Sequence, residues 1–209
     1  MKPHTFCPII FIAIIILSAH IPAMAELSPD RLPGTSRQQT DSIGSHPSVT
    51  LKTNAILWAT TVMNVECEVR FHPHISASLG LAWCPWFFTE RFALRNLSIM
   101  PEIRWWLKPV QTGHFFGLHL ATAWYNVKYG DFRYQDSNRP LLNAGVTYGY
   151  RFRLTPRLGI ELSIGAGFAS LQYDRFHNVN NGALADTRRT TWFGIDRAAI
   201  SLTYSFTRK

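Results

Sequence analysis

Met63, Val65, Cys67, Val69 and Phe71 alternate with Asn64, Glu66, Glu68 and Arg70, and the rhythm resumes at Ile75, Ala77, Leu79, Leu81 and Trp83 after His72, Pro73 and His74. Successive side chains of a strand point to opposite faces, so this pattern predicts a hairpin with one greasy face and one polar face. From Val49 onward the same rhythm returns between turns. It predicts eight strands, over residues 49–58, 62–71, 75–83, 97–107, 114–125, 142–154 and 158–173, with a last one ending at Phe206. Pro101 removes a ladder hydrogen bond from the fourth, which predicts a bulge or kink there. With the first hairpin centred on Pro73, Cys67 faces Leu79 and Cys84 falls beyond the partner of Val62. Five residues of strand, roughly 17 Å, then separate the two thiols, outside the Cα range of a disulfide. Both are expected to be free.

Link lengths set the orientation. Short links at 72–74, 108–113 and 155–157 alternate with long ones at 84–96, 126–141 and 174–191, the habit of outer-membrane barrels with short periplasmic turns and longer outer loops. The link at 59–61 is too short for its class, so either the hairpin at that link is tight or the first strand ends earlier than residue 58. The start of the chain supplies a destination. Lys2, an apolar run over 6–18 and Ala23-Met24-Ala25 fit a signal peptide over residues 1–25. Residues 26–48, rich in Ser, Pro, Gly and Gln, read as a flexible periplasmic leader. No later segment has the apolar length of a helical span. The expected fold over 49–209 is therefore all-β, an eight-stranded antiparallel transmembrane β-barrel in the outer membrane of a Gram-negative bacterium.

The formal charge of +8 could suit nucleic acid, but an exported chain meets outer-membrane lipid or lipopolysaccharide instead, and no nucleic-acid partner is expected. Aromatic residues make up 13% of the chain and include seven tryptophans, which suits membrane interfaces. Trp58, Trp83, Trp124, Tyr173 and Trp192 fall at the expected outer rim, and Phe71, Trp105, Phe115, Phe152 and Phe206 at the inner rim.

The polar faces carry Lys52, Glu66, Glu68, Arg70, Glu102, Arg104, His119, Arg151, Arg153, Glu161 and Arg197, a near balance of acids and bases. Eight strands are just wide enough for their own side chains to fill the interior, so these residues predict a plug of paired charges. No nucleophile-elbow, phosphate-loop, zinc-protease or dinucleotide motif is present. His114 and His119 lie on opposite faces of one strand, and His72 with His74 are two ligands where zinc takes three or four. No catalytic residue, metal or cofactor is expected. Trp86, Phe87, Phe88, Arg133, Tyr134, Arg139, Arg188 and Arg189, in the long links, are the candidate surface contacts. Two other readings stand beside a structural or surface-interaction role. One is an outer-membrane lipid-modifying enzyme of the acyltransferase or deacylase kind, for which His119 is the residue to test. The other is a periplasmic ligand-binding barrel.

Pro101, Glu102, Arg104, Trp106, Gly113, His114, Phe115, Gly117, His119, Tyr125 and Asn126 form the pattern P-E-[IL]-R-[WY]-W, G-H-F-x-G-x-H, Y-N. On these residues the chain resembles an uncharacterised, domain-of-unknown-function family of small outer-membrane β-barrels from gut-type Gram-negative anaerobes. The likeness spans about residues 49–206. It implies a cell-envelope role, sometimes associated with fimbrial or adhesin systems, and brings no catalytic residues.

Overall fold

A computed structural model describes residues 48–109, 111–136, 139–179 and 182–206. The expected signal peptide and nearly all of the leader lie outside them. The chain forms β1 (Ser48–Asn54), α1 (Ala55–Ala59), β2 (Met63–His72), β3 (Ile75–Cys84), β4 (Phe92–Trp106), β5 (Gly113–Tyr129), β6 (Phe132–Asp136), β7 (Leu141–Arg153), β8 (Leu158–His177) and β9 (Leu184–Phe206). Every pairing is antiparallel. Neighbours run β1–β2–β3–β4–β5–β7–β8–β9, and β9 pairs back onto β1, so eight strands close a ring. The ninth, β6, continues the line of β7 and fills the space between the far ends of β5 and β8.

The alternation settles which face is which. Along β5, Phe115, Gly117 and His119 are buried inside the ring while His114, Phe116, Leu118 and Leu120 are exposed outside it. The first hairpin has the expected register, with Cys67 opposite Leu79, and shifts only at its turn. Both cysteines are free thiols.

Four expectations are corrected. The first strand stops at Asn54, whose side chain accepts from the backbone N–H of Ile56 and starts α1, the one helix among the described residues, in place of further strand. At Pro101 there is no bulge. Pairing to β5 lapses between Ile99 and Glu102 and resumes in the same register, so the ladder absorbs the missing donor. Most of the long links are themselves strand: β5 runs on to Tyr129 and turns at Gly130 into β6, and β8 and β9 extend to His177 and from Leu184. Past Phe168 the outward positions become Ser170, Gln172 and Asp174 while Leu171 and Tyr173 point in. The polarity of the alternation reverses there, and the strand no longer reads as apolar-out. Finally, Phe115, Tyr173 and Trp192 belong to the inner face, and Phe193, 78% exposed, takes the outward position next to Trp192.

The strand ends at β3–β4, β5–β6 and β8–β9 are tied together. The Asn178 amide donates to the carbonyls of Glu90 (3.0 Å) and Gly130 (2.9 Å), its backbone N–H donates to Asp131, and Gly130 donates to Arg91. Replacing Asn178 by Ala removes the two side-chain bonds. Amide exchange should then rise about fivefold or more around Glu90 and Gly130, as expected for about 1 kcal/mol of lost local stability, with no change at Glu68.

Candidate functional site

The interior of the ring is built from alternate residues of six strands. Lys52 and Glu66 face each other across β1 and β2, and Arg151 and Glu161 do so across β7 and β8, so the register itself sets opposite charges side by side. Glu68, Glu102, Arg104 and Arg197 complete the set. Arg104 lies at its centre, with nitrogens 2.9 Å from Glu66, 3.4 Å from Glu68, 2.5 Å from Glu102 and 2.9 Å from Glu161. Lys52 bridges Glu66 and Glu68, Arg151 bridges Glu68 and Glu161, and Arg197 bridges Glu66 (2.9 Å) and Glu102 (2.7 Å). Four carboxylates meet four cations, and all eight groups are buried or nearly so. Burial of isolated charges would be prohibitive, and this arrangement leaves none isolated.

Aromatic rings line one side of the network. The Arg104 guanidinium sits 4.6 Å above the ring of Phe115 and that of Arg151 4.5 Å from Trp106, the two rings being 4.7 Å apart. The Trp106 indole donates to Ser76, which donates to Glu68, and Gln111 reaches in from the β4–β5 turn to the same carboxylate. Glycines make the room. A Cβ on Gly117 would strike Glu102, and one on Gly149 would strike Phe115.

Above the charges, His119 is 1% exposed, with Nδ1 2.8 Å from the Thr147 hydroxyl and Nε2 2.9 Å from Asp196. Asn143 donates to the same Asp196 oxygen. Asp196 is the extra residue of a β-bulge: Gly165 faces Arg197 but Ala166 faces Ile195, so Asp196 and Arg197 both turn inward. Sequence reasoning missed it. The signal was two adjacent charges in an otherwise alternating strand. Gly145 of β7 and Gly165 and Gly167 of β8 leave the space its carboxylate fills.

Of the interior residues expected from sequence, Glu66, Glu68, Glu102, Arg104, His119, Arg151, Glu161 and Arg197 are brought together. Arg70 is not part of the network. It lies at the turn end, with Nη1 3.4 Å from the Pro109 carbonyl, and Arg153 is exposed. Among the candidate surface contacts, Trp86, Phe87 and Phe88 are exposed, as are Arg188 and Arg189. Arg133 stacks on Phe176 and Arg139 reaches Ser170. Tyr134 is a correction: it is 8% exposed, turned inward against Tyr173. Among the described residues no three His, Cys, Asp or Glu side chains are grouped to hold a metal ion.

A family model described as "Protein of unknown function (DUF3575)" matches residues 34–206. The chain belongs to the DUF3575 family. The match takes in every strand of the ring and thus the whole charged interior of this DUF3575 protein. No curated protein and no solved structure matches it.

Because Arg104 touches all four glutamates, Arg104→Leu leaves four buried carboxylates with three cations. In this DUF3575 protein it should cost about 3–5 kcal/mol in urea unfolding, whereas Arg157→Leu, on an exposed site, should cost less than about 0.5 kcal/mol.

Proposed function

We propose that this protein is a small outer-membrane β-barrel with a plugged interior, acting as a structural or surface-interaction protein of the cell envelope. The observation that carries this reading is an inverted polarity. Leu118 is 63% exposed, Val146 61% and Ile103 60%, in a continuous outward belt, while the charged residues are inside. Water-soluble monomers rarely expose an apolar surface of more than a few hundred Å². A bilayer core requires such a surface, together with a closed sheet that leaves no backbone group unpaired.

Aromatic girdles support the same reading. Trp105 stacks on Phe116 and Phe116 packs on Tyr148. His114 contacts both Tyr148 and Tyr150, and Tyr150 packs on Phe152, giving a band around the turn end of β4, β5 and β7. At the other end Trp58, Trp83 and Trp124 are exposed. Two such bands are what the two interfaces of a bilayer call for, and they support the reading. The side of the tied strand ends would face outward from the cell, where Trp86, Phe87 and Phe88 are offered for contact.

The lipid-modifying alternative rests on His119, and the geometry gives it less support. Both ring nitrogens are occupied inside the ring and Thr147 beside it is 2% exposed. An acyl chain outside the ring would meet neither.

The reading is tested by fractionation and by conductance. The protein should stay with the outer membrane through osmotic shock, migrate differently in gels with and without heating, and give no steady channel in planar bilayers. Release into the periplasmic fraction would overturn it, and a steady open channel would overturn the plug.

A further inference from the structure

β9 is longer than the strand that closes the ring against it. β1 pairs with β9 only from Val49 opposite Phe206 to Asn54 opposite Ser201. The Asn54 side chain then covers one more step, donating to the Ala198 carbonyl at 3.3 Å and accepting from the N–H of Ile200. Beyond that point β9 pairs with β8 along one edge, and among the described residues no strand pairs with its other edge from Leu184 to Ile195. The outward positions along this stretch pass from Ile195 and Phe193 to Thr191, Arg189 and Thr187, so the part from Leu184 to Thr191 stands beyond the apolar belt. An unpaired strand edge in water is a template for another strand.

The charges along the edge choose the occupant. When identical edges pair about a two-fold axis, residues face each other in registers centred on one residue, since any other choice would oppose side chains from different faces. Centring on Asp186, Arg188 or Arg189 sets that charge against its own copy. Centring on Thr187 sets Asp186 against Arg188 twice, Thr187 against Thr187, Ala185 against Arg189 and Leu184 against Thr190. Unlike charges and Thr pairs directly opposite each other are favourable, and like charges are not. Asp186 and Arg188 share the inward face and already attract within one chain at 2.7 Å.

We propose that the free edge of β9, over Leu184–Thr190, pairs antiparallel with the same edge of a second copy of this chain, in the register centred on Thr187. The two-fold axis stands perpendicular to the sheet, so the partner's ring axis is reversed and the two rings meet by their tied ends. On the outer-membrane reading, on which this inference rests, that places the two copies in facing membranes. A seven-residue ribbon is a small contact, and many copies per membrane supply the avidity that a single pair lacks.

The test uses the full mature chain reconstituted in neutral phosphatidylcholine vesicles, with heat-shifted gel migration read first. Failure to insert or to shift on heating speaks against the membrane reading, before the edge is tested at all. For folded protein, light scattering reports vesicle tethering. Wild-type vesicles should tether. Vesicles carrying Asp186→Arg alone, or Arg188→Asp alone, should tether about tenfold more slowly, because each sets like charges opposite each other. Mixing the two variant populations should restore tethering, since each edge then meets the opposite charge at both positions. Absence of wild-type tethering by folded protein would overturn the proposal. Tethering unaffected by either substitution, or a mixture no better than its components, would do the same and would point to a different partner for this edge.

Discussion

Four carboxylates and four cations enclosed within one ring of strands are the constraint on which the rest of this structure depends. A charge inside a closed sheet has no bulk water to fall back on, so each must find its counter-ion among neighbours fixed by strand register. Arg104 meets all four glutamates only because β2, β4 and β8 present them at one level. The same crowding explains the glycines. Gly117 and Gly149 stand where any side chain would strike Glu102 or Phe115. It also fits the bulge in β9, which turns Asp196 inward to meet His119 and Asn143 rather than leaving it on the apolar outer face.

A buried ion network is seldom the most stabilising way to fill a core, since well-packed apolar residues often do as well or better. Its value in this ring is specificity. Slipping any strand by one residue would exchange its faces, bringing Glu66, Glu68 or Arg104 onto the apolar outer surface and Val65, Val69 or Ile103 into the charged interior. The charges therefore hold the register, and the register holds the outward apolar belt together. In the proposed bilayer setting the two surfaces specify each other.

Much of this was legible in the chain. Strict alternation over β2, β3, β5, β7 and β8 gave strand positions, facing and the first hairpin's register, because one face is uniformly apolar and the other uniformly polar or small. Where that contrast fades, the reading fails. Residues 55–58, an unbroken apolar run, read as the end of the first strand but are turned into α1 by the Asn54 side chain. The continuations of β5 and β8 beyond Tyr125 and Tyr173 read as loops because the polarity has reversed by then, with Tyr125, Leu171 and Tyr173 pointing inward where charges had pointed before. Asp196 was marked only by two adjacent charges in β9, and the edge of β9 that is unpaired among the described residues depends on which strand stops first, which no single strand's pattern contains. The paired charges of the interior could be listed from sequence, but Arg70 and Arg153 could not be separated from them without knowing where the ring ends.

The central claim is that the ring's outer face contacts lipid and its inner face does not. It is tested most directly by photolabelling the unmodified, heat-modifiable protein in vesicles whose phospholipid acyl chains carry a diazirine, with labelled side chains located by mass spectrometry. The account predicts labels on Leu79, Leu81, Ile103, Leu118, Val146 and Ile164, and none on Ser78, Glu102, Thr147 or Glu161, which alternate with them on the same strands. Labelling of both sets alike, or of neither, would contradict it.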